Sequence, residues 1–132
     1  GGRAFLGICV GMQILADRGY EFTPCDGLGL IGGEVRRLRV PGGERLPHMG
    51  WNTLRVERAC ALLAGLEEPT FYFVHSYNFE VAEPADCVAT CDYGAGVCAV
   101  VARGNIFGVQ FHPEKSQRDG LQLLRNFVAL AA

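Results

Sequence analysis

Apolar and polar positions alternate along this chain with two different periods. Ala4-Phe5-Leu6-Gly7-Ile8 is an unbroken apolar run that predicts a short buried strand, and Met12-Gln13-Ile14-Leu15-Ala16-Asp17-Arg18 puts Met12, Leu15 and Ala16 on one helical face. A glycine-rich loop follows through Gly33, and Glu34 to Val40 alternates as a strand. Turn residues delimit further strands over 51–56, 70–75, 77–82, 86–92, 96–102 and 106–111, with a short helix over 59–64. Over 117–130, Leu121, Leu124, Phe127 and Val128 recur at helical spacing, the pattern of an amphipathic helix packed on a sheet. Strands mixed with helices in this order predict a three-layer α/β fold with a mixed central sheet. With no repeat, low-complexity tract or internal linker, residues 1–132 are expected to form a single domain.

Composition narrows the class without choosing a function. The 132 residues are 49% hydrophobic and 20% charged, ordinary values for a chain that builds one core. A net charge of -2 gives no reason to expect a nucleic-acid partner. No apolar run is long enough to span a bilayer and no charged-then-apolar leader is visible, so no membrane association is expected. The six cysteines, at 9, 25, 60, 87, 91 and 98, contain no Cys-x-x-Cys pair, and no metal and no cofactor are expected. A reactive thiol among them would suit a reducing, cytoplasmic compartment.

Two segments carry chemistry. In Gly7-Ile8-Cys9-Val10-Gly11-Met12-Gln13, Cys9 falls on a strand-to-helix turn whose small flanking residues allow a sharp bend, as at the nucleophile elbow of serine hydrolases. The following helix aims its N-terminus at the sulfur, and that dipole with a nearby imidazolium is expected to favour the thiolate. In Gln110-Phe111-His112-Pro113-Glu114-Lys115-Ser116, Pro113 biases His112 towards extended backbone, so that residues 112 and 114 point to one side and Glu114 reaches the imidazole. A carboxylate on one ring nitrogen leaves the other to exchange protons with Cys9, which is the logic of a Cys-His-Glu triad. Alone, a cysteine in an apolar run is more often a core residue and a histidine at a strand end more often structural. The two contexts together favour Cys9, His112 and Glu114 as catalytic.

On these residues the chain resembles the class I glutamine amidotransferases, whose nucleophile lies in Gly-x-Cys-x-Gly and whose His and Glu lie in a His-Pro-Glu segment. Within that group it is similar to the glutaminase subunits of imidazole glycerol phosphate synthases, through Leu6 to Gln13, Gly27-Leu28-Gly29-Leu30-Ile31-Gly32-Gly33, Pro47-His48-Met49-Gly50-Trp51-Asn52, Phe73-Val74-His75-Ser76-Tyr77 and the Lys115-Ser116 ending. The likeness runs from Phe5 to Phe127. It implies the flavodoxin-like three-layer fold of that family, lacking its first strands, because family members begin with further strand and helix units and a Pro-Gly-x-Gly loop that helps form the oxyanion hole. A sheet without those strands is expected to have an unpaired neighbour position and to lose stability in isolation.

The resemblance further implies that glutamine is hydrolysed to glutamate and ammonia, with substrate held by Val10, Gln13, Ser76 and Tyr77. It implies that ammonia passes to a (β/α)₈-barrel cyclase subunit making imidazole glycerol phosphate and aminoimidazole carboxamide ribotide, with Trp51, Asn52, Tyr72 and Lys115 as interface candidates. From spacing alone Ser76 and Tyr77 read equally as a strand turn and Trp51 as a core anchor; His48 and His75 read as structural. An inactive regulatory pseudoglutaminase and a stand-alone γ-glutamyl cysteine hydrolase are the alternative functions.

Overall fold

The computed structural model describes residues 3–132. In chain order the elements are β1 (Phe5–Ile8), α1 (Val10–Gln13), β2 (Arg18–Gly19), β3 (Cys25–Asp26), β4 (Gly33–Arg37), β5 (His48–Thr53), β6 (Arg55–Val56), β7 (Thr70–His75), β8 (Tyr77–Val81), β9 (Cys87–Cys91), β10 (Val97–Arg103), β11 (Ile106–Val109) and α2 (Gln117–Ala131). Single 3₁₀ turns cover Ala61–Leu63, Pro84–Asp86 and Pro113–Lys115.

The strands form three sheets where one central sheet was expected. The largest is mixed, in the order β1-β11-β10-β9-β6, with β1 and β11 parallel and the other pairs antiparallel. A second runs β3-β2-β4-β8 and a third is the β5-β7 pair. The predicted strand 51–56 therefore divides: β5 belongs to one sheet and β6 to another, hinged at the buried Leu54. Among the described residues β1 is an edge strand, and Phe5 is exposed on it rather than buried.

The expected helix over 12–18 stops after one turn. The carbonyls of residues 14 to 17, which would have continued it, accept instead from the glycine-rich loop: Leu28 N donates to Ile14 O, Leu30 and Ile31 to Leu15 O, Gly29 to Ala16 O and Gly27 to Asp17 O. Gly27 permits this approach, because a Cβ there would collide with Ala16 O. Met12, Leu15 and Ala16 are nonetheless buried, packed with Ile31, Val35, Phe79 and Val101 in one of two core clusters. The other cluster centres on Phe71, Phe73 and Phe111, whose Phe71 and Phe111 rings stack at 3.8 Å.

α2 closes the second cluster, rotated from the face predicted for it. Leu123 is fully buried and Leu124 and Phe127 pack at its margin, whereas Leu121 and Val128 face solvent. Asn126 sets this rotation, since its side-chain amide donates to the Leu62 and Ala64 carbonyls at the 3₁₀ turn.

Candidate active site

Parallel pairing of β1 and β11 brings the two chemical segments together. Their register is Phe5 with Ile106 through Ile8 with Val109, so both strands end side by side at the same margin of the sheet. Cys9 N donates to Val109 O at 2.8 Å immediately beyond that register. Cys9 and Gln110 thus leave the sheet as neighbours although 101 residues apart in sequence.

Cys9 has φ 55° and ψ -107°, a conformation that L side chains seldom occupy. The turn is enforced by close packing beneath it. A Cβ on Gly7 would collide with Gly11 O, so the strand and the first turn of α1 meet only with glycine at that position. The sulfur lies 4.0 Å from Val74 O on β7 and 3.7 Å from Gln110 Nε2. Burial pushes the Cys9 thiol up, against the Val10 N–H and the Gln110 amide, which favour the anion; the Glu114 and Glu21 carboxylates also push it up. This corrects the expectation of a resting thiolate. α1 is only four residues long, and the nearest formal charges are negative.

His112 sits beyond the end of β11 with extended backbone, φ -106° and ψ 95°. Its N–H donates to Tyr72 O, two residues along β7 from the carbonyl nearest Cys9. The ring nitrogen Nδ1 lies 2.9 Å from Glu114 Oε2. The expected contact is present, reached through a 3₁₀ turn over Pro113–Lys115 and not through strand alternation. Ser116 secures that turn, its hydroxyl donating to His112 O and accepting from Tyr72 N. His112 is not among the hydrogen-bond partners of the Cys9 sulfur, a spacing that catalytic pairs commonly close only when substrate is bound.

Beside Cys9 is a cavity of about 170 Å³ lined by Cys9, Val10, Gln13, Glu21, Val74, His75, Ser76 and Tyr77. All four residues assigned to substrate by the resemblance, Val10, Gln13, Ser76 and Tyr77, are in that lining. Gln13 Nε2 donates to Gln110 Oε1 at 3.2 Å and lies 3.5 Å from Tyr77 O.

Two residues of the site were not found from the sequence. Gln110 is wholly buried and links Gln13 to the Cys9 sulfur through the two ends of one amide. A polar residue between the apolar Val109 and Phe111 was the available signal. Glu21 had none, standing in an irregular exposed segment between two aromatics; only the fold puts its carboxylate at the cavity.

The interface candidates separate. Trp51 is 52% exposed and meets Tyr72 edge to face at 5.7 Å, so it does not anchor the core. Lys115 is exposed on the His112 turn. Asn52 is half-buried, its amide turned inward to His48 and to Asp92 O.

The family model for class I glutamine amidotransferases matches residues 1–131. The chain belongs to that family. As a class I amidotransferase it is 50% identical over 127 residues to the imidazole glycerol phosphate synthase subunit HisH of Rhodopirellula baltica, covering 96% of this chain and 62% of that protein. To the HisH subunit of Rhodospirillum rubrum it is 51% identical over 132 residues, with 98% and 62% covered. The chain thus spans about three fifths of the length of these curated relatives.

Among solved structures, a GMP synthase subunit from Thermoplasma acidophilum superposes with TM-score 0.70 at 22% identity, over 99% of this chain and 58% of that one. A glutamine amidotransferase gives 0.66 at 23%, over 97% and 60%. These likenesses carry the fold: an α/β, flavodoxin-like domain with mixed sheets and few helices. Among the described residues no helix is long and apolar enough to cross a membrane.

Proposed function

We propose that these residues form the catalytic part of a glutaminase subunit of imidazole glycerol phosphate synthase, hydrolysing glutamine and delivering ammonia to a cyclase partner. The β1/β11 register carries this reading, because it seats Cys9 and the His112–Glu114 pair at one sheet margin beside a cavity of small-substrate size. The similarity to HisH subunits names the synthase.

Cys9 Sγ attacks the side-chain amide carbon of glutamine after giving its proton to His112. Because burial favours the neutral thiol, the proton moves when substrate closes the gap to the imidazole. The Val10 N–H receives the oxygen of the tetrahedral intermediate. His112 protonates the departing nitrogen, ammonia leaves, and a thioester remains. Water that loses a proton to His112 then splits the thioester, releasing glutamate and restoring the thiol. Glu114 holds the ring and stabilises its protonated form throughout.

Glu21 offers a carboxylate for the α-ammonium of the substrate, and the Ser76 and Tyr77 backbone binds its polar groups. Ammonia freed into water would be protonated and lost to synthesis, which calls for a sealed partner. The partner is a (β/α)₈-barrel cyclase, and the face carrying Met49, Trp51, Tyr72 and Lys115 is where it docks. An open groove of about 530 Å³ beside Trp51, reaching Ser116 and Asp119, supports that placement.

The test is glutamate release from glutamine by the full-length protein, with and without the cyclase partner and its ribonucleotide ligand, beside Cys9→Ala. Turnover that needs both the partner and Cys9 supports the reading. A folded complex that never releases glutamate would make the chain a binding pseudoglutaminase, and equal turnover without the partner a stand-alone hydrolase.

A further inference from the structure

His48 and His75 take no part in the reaction described above, yet both are buried. They are register partners across β5 and β7, and His48 is stacked between Phe73 at 4.8 Å and Tyr93 at 4.2 Å. Packing alone would be served by an apolar ring in that slot. What distinguishes this pair is that every polar atom has a partner and the order of donors is fixed from both ends.

At one end, His75 Nδ1 lies 2.8 Å from Tyr77 O, a carbonyl that only accepts, so the proton is on His75 Nδ1. His75 Nε2 is then a lone pair, and His48 Nδ1 at 2.9 Å donates to it. His48 Nε2 is consequently an acceptor, served by Asn52 Nδ2 at 3.2 Å. At the other end, Asn52 cannot be reversed: its oxygen accepts from Thr53 N at 2.9 Å and its nitrogen also donates to Asp92 O at 3.0 Å. Reversing any one ring would set two protons or two lone pairs face to face. A buried network satisfied this completely fixes one arrangement of the elements that carry it.

The chain of bonds ends at the cavity. Tyr77 O, which receives the His75 proton, also lies 3.5 Å from Gln13 Nε2, and His75 itself lines the cavity. Its other end, Asn52, sits between the exposed Trp51 and Thr53 on β5.

We propose that His48 and His75 are positioning residues, a directed hydrogen-bond relay that fixes the Tyr77 carbonyl and Gln13 from the Asn52 end of β5. The relay orients the glutamine site without touching the reacting atoms. Its bearing on glutamine binding rests on the glutaminase reading; its proton order does not.

The experiment is ¹⁵N–¹H imidazole spectroscopy of the full-length protein, with kinetics in the presence of the synthase partner. Both rings are expected in the Nδ1–H form, opposite to the usual preference of free histidine. His48→Phe keeps an aromatic ring in the stack and removes both nitrogens. It should move the Gln13 side-chain amide resonances and raise the KM for glutamine about tenfold, the effect of losing one net hydrogen bond, with a smaller change in kcat. Asn52→Leu, at the half-buried outer end, should shift KM in the same direction and guards against a misfolded His48 variant. A proton on Nε2 of either ring, or an unchanged KM in both variants, would overturn the proposal. If the unaltered protein released no glutamate while both rings kept the Nδ1–H form and Gln13 moved in His48→Phe, the glutaminase reading would fail and the relay would stand.

Discussion

The molecule holds two histidine pairs built from the same ring and put to opposite uses. His112 faces the Glu114 carboxylate, with 19% of the histidine side chain and 51% of the glutamate side chain reached by solvent. His48 faces His75, both buried, with a carbonyl at one end and an amide at the other. A carboxylate beside a ring stabilises the imidazolium formed when the ring takes a proton, so His112 can cycle between states during a reaction. The interior pair is neutral throughout, and a further proton on either ring would break a bond of the relay. Burial pushes His48 down to about 4, and the neighbouring His75 adds to the shift. The charge of the partner, more than the histidine itself, decides whether a ring shuttles protons or holds a backbone in place.

The most severe way to break the comparison is to remove the proton carrier. His112→Asn should lower kcat for glutamine hydrolysis roughly 10³-fold, with Cys9→Ala at least as damaging, while glutamine still binds. Turnover within tenfold of the unaltered protein in steady-state assays would take His112 out of the mechanism. Next comes the partner charge. Glu114→Gln keeps the shape of the contact and removes its charge, and should cost about 10² in kcat with little change in KM. A KM effect alone would mean that Glu114 binds substrate and does not stabilise the imidazolium.

The interior pair should appear in stability against pH. The unfolded chain protonates His48 near 6.5, whereas the folded chain resists until about 4, so the unfolded state binds the proton first as the pH falls. Stability is therefore complete above pH 6.5 and is lost progressively down to about 4. The loss is about 2 kcal/mol, less than full linkage because solvent reaches the edge of the pair. Denaturant midpoints at pH 7 and pH 4.5 should differ by that amount more in the unaltered protein than in His48→Phe. Equal acid sensitivity in the two would assign the loss to carboxylates elsewhere.

The smallest effect sharpens the outer end of the relay. Asp92→Asn removes an exposed ion pair with Arg55 at 2.7 Å but leaves the Asp92 carbonyl that receives Asn52. It should change stability by less than about 0.5 kcal/mol and leave the KM for glutamine unaltered. A KM change like that of His48→Phe would mean that the Asp92 side chain, and not its backbone, sets Asn52.

Much of the site was legible because it is local. The elbow at Cys9 needs small neighbours within a few residues, and Pro113 limits the backbone so that Glu114 reaches His112 two residues away. Period-two alternation likewise located β4, β7, β8, β9 and β10, where one strand face is buried and the other is not. Reading failed where a distant segment competed for backbone groups. Helical spacing continued through Arg18, but the loop from Gly27 to Ile31 took the carbonyls a longer helix would have used. Leu121 and Val128 fitted the apolar period of α2, but Asn126 turned that helix towards Leu62 and left them in solvent.

The sequence by itself determined the reactive residue types, the sharp turn that presents Cys9 and the pairing of His112 with Glu114, since each depends on sterics and reach within a few peptide units. Only the tertiary structure decided that Gln110 would bridge Gln13 to the sulfur, that Glu21 would reach the cavity and that Trp51 would face solvent. It alone set His48 against His75, 27 residues away, in a fixed donor order. Those arrangements depend on strand register and on which buried donors find acceptors, and both are settled by the packing of the whole chain.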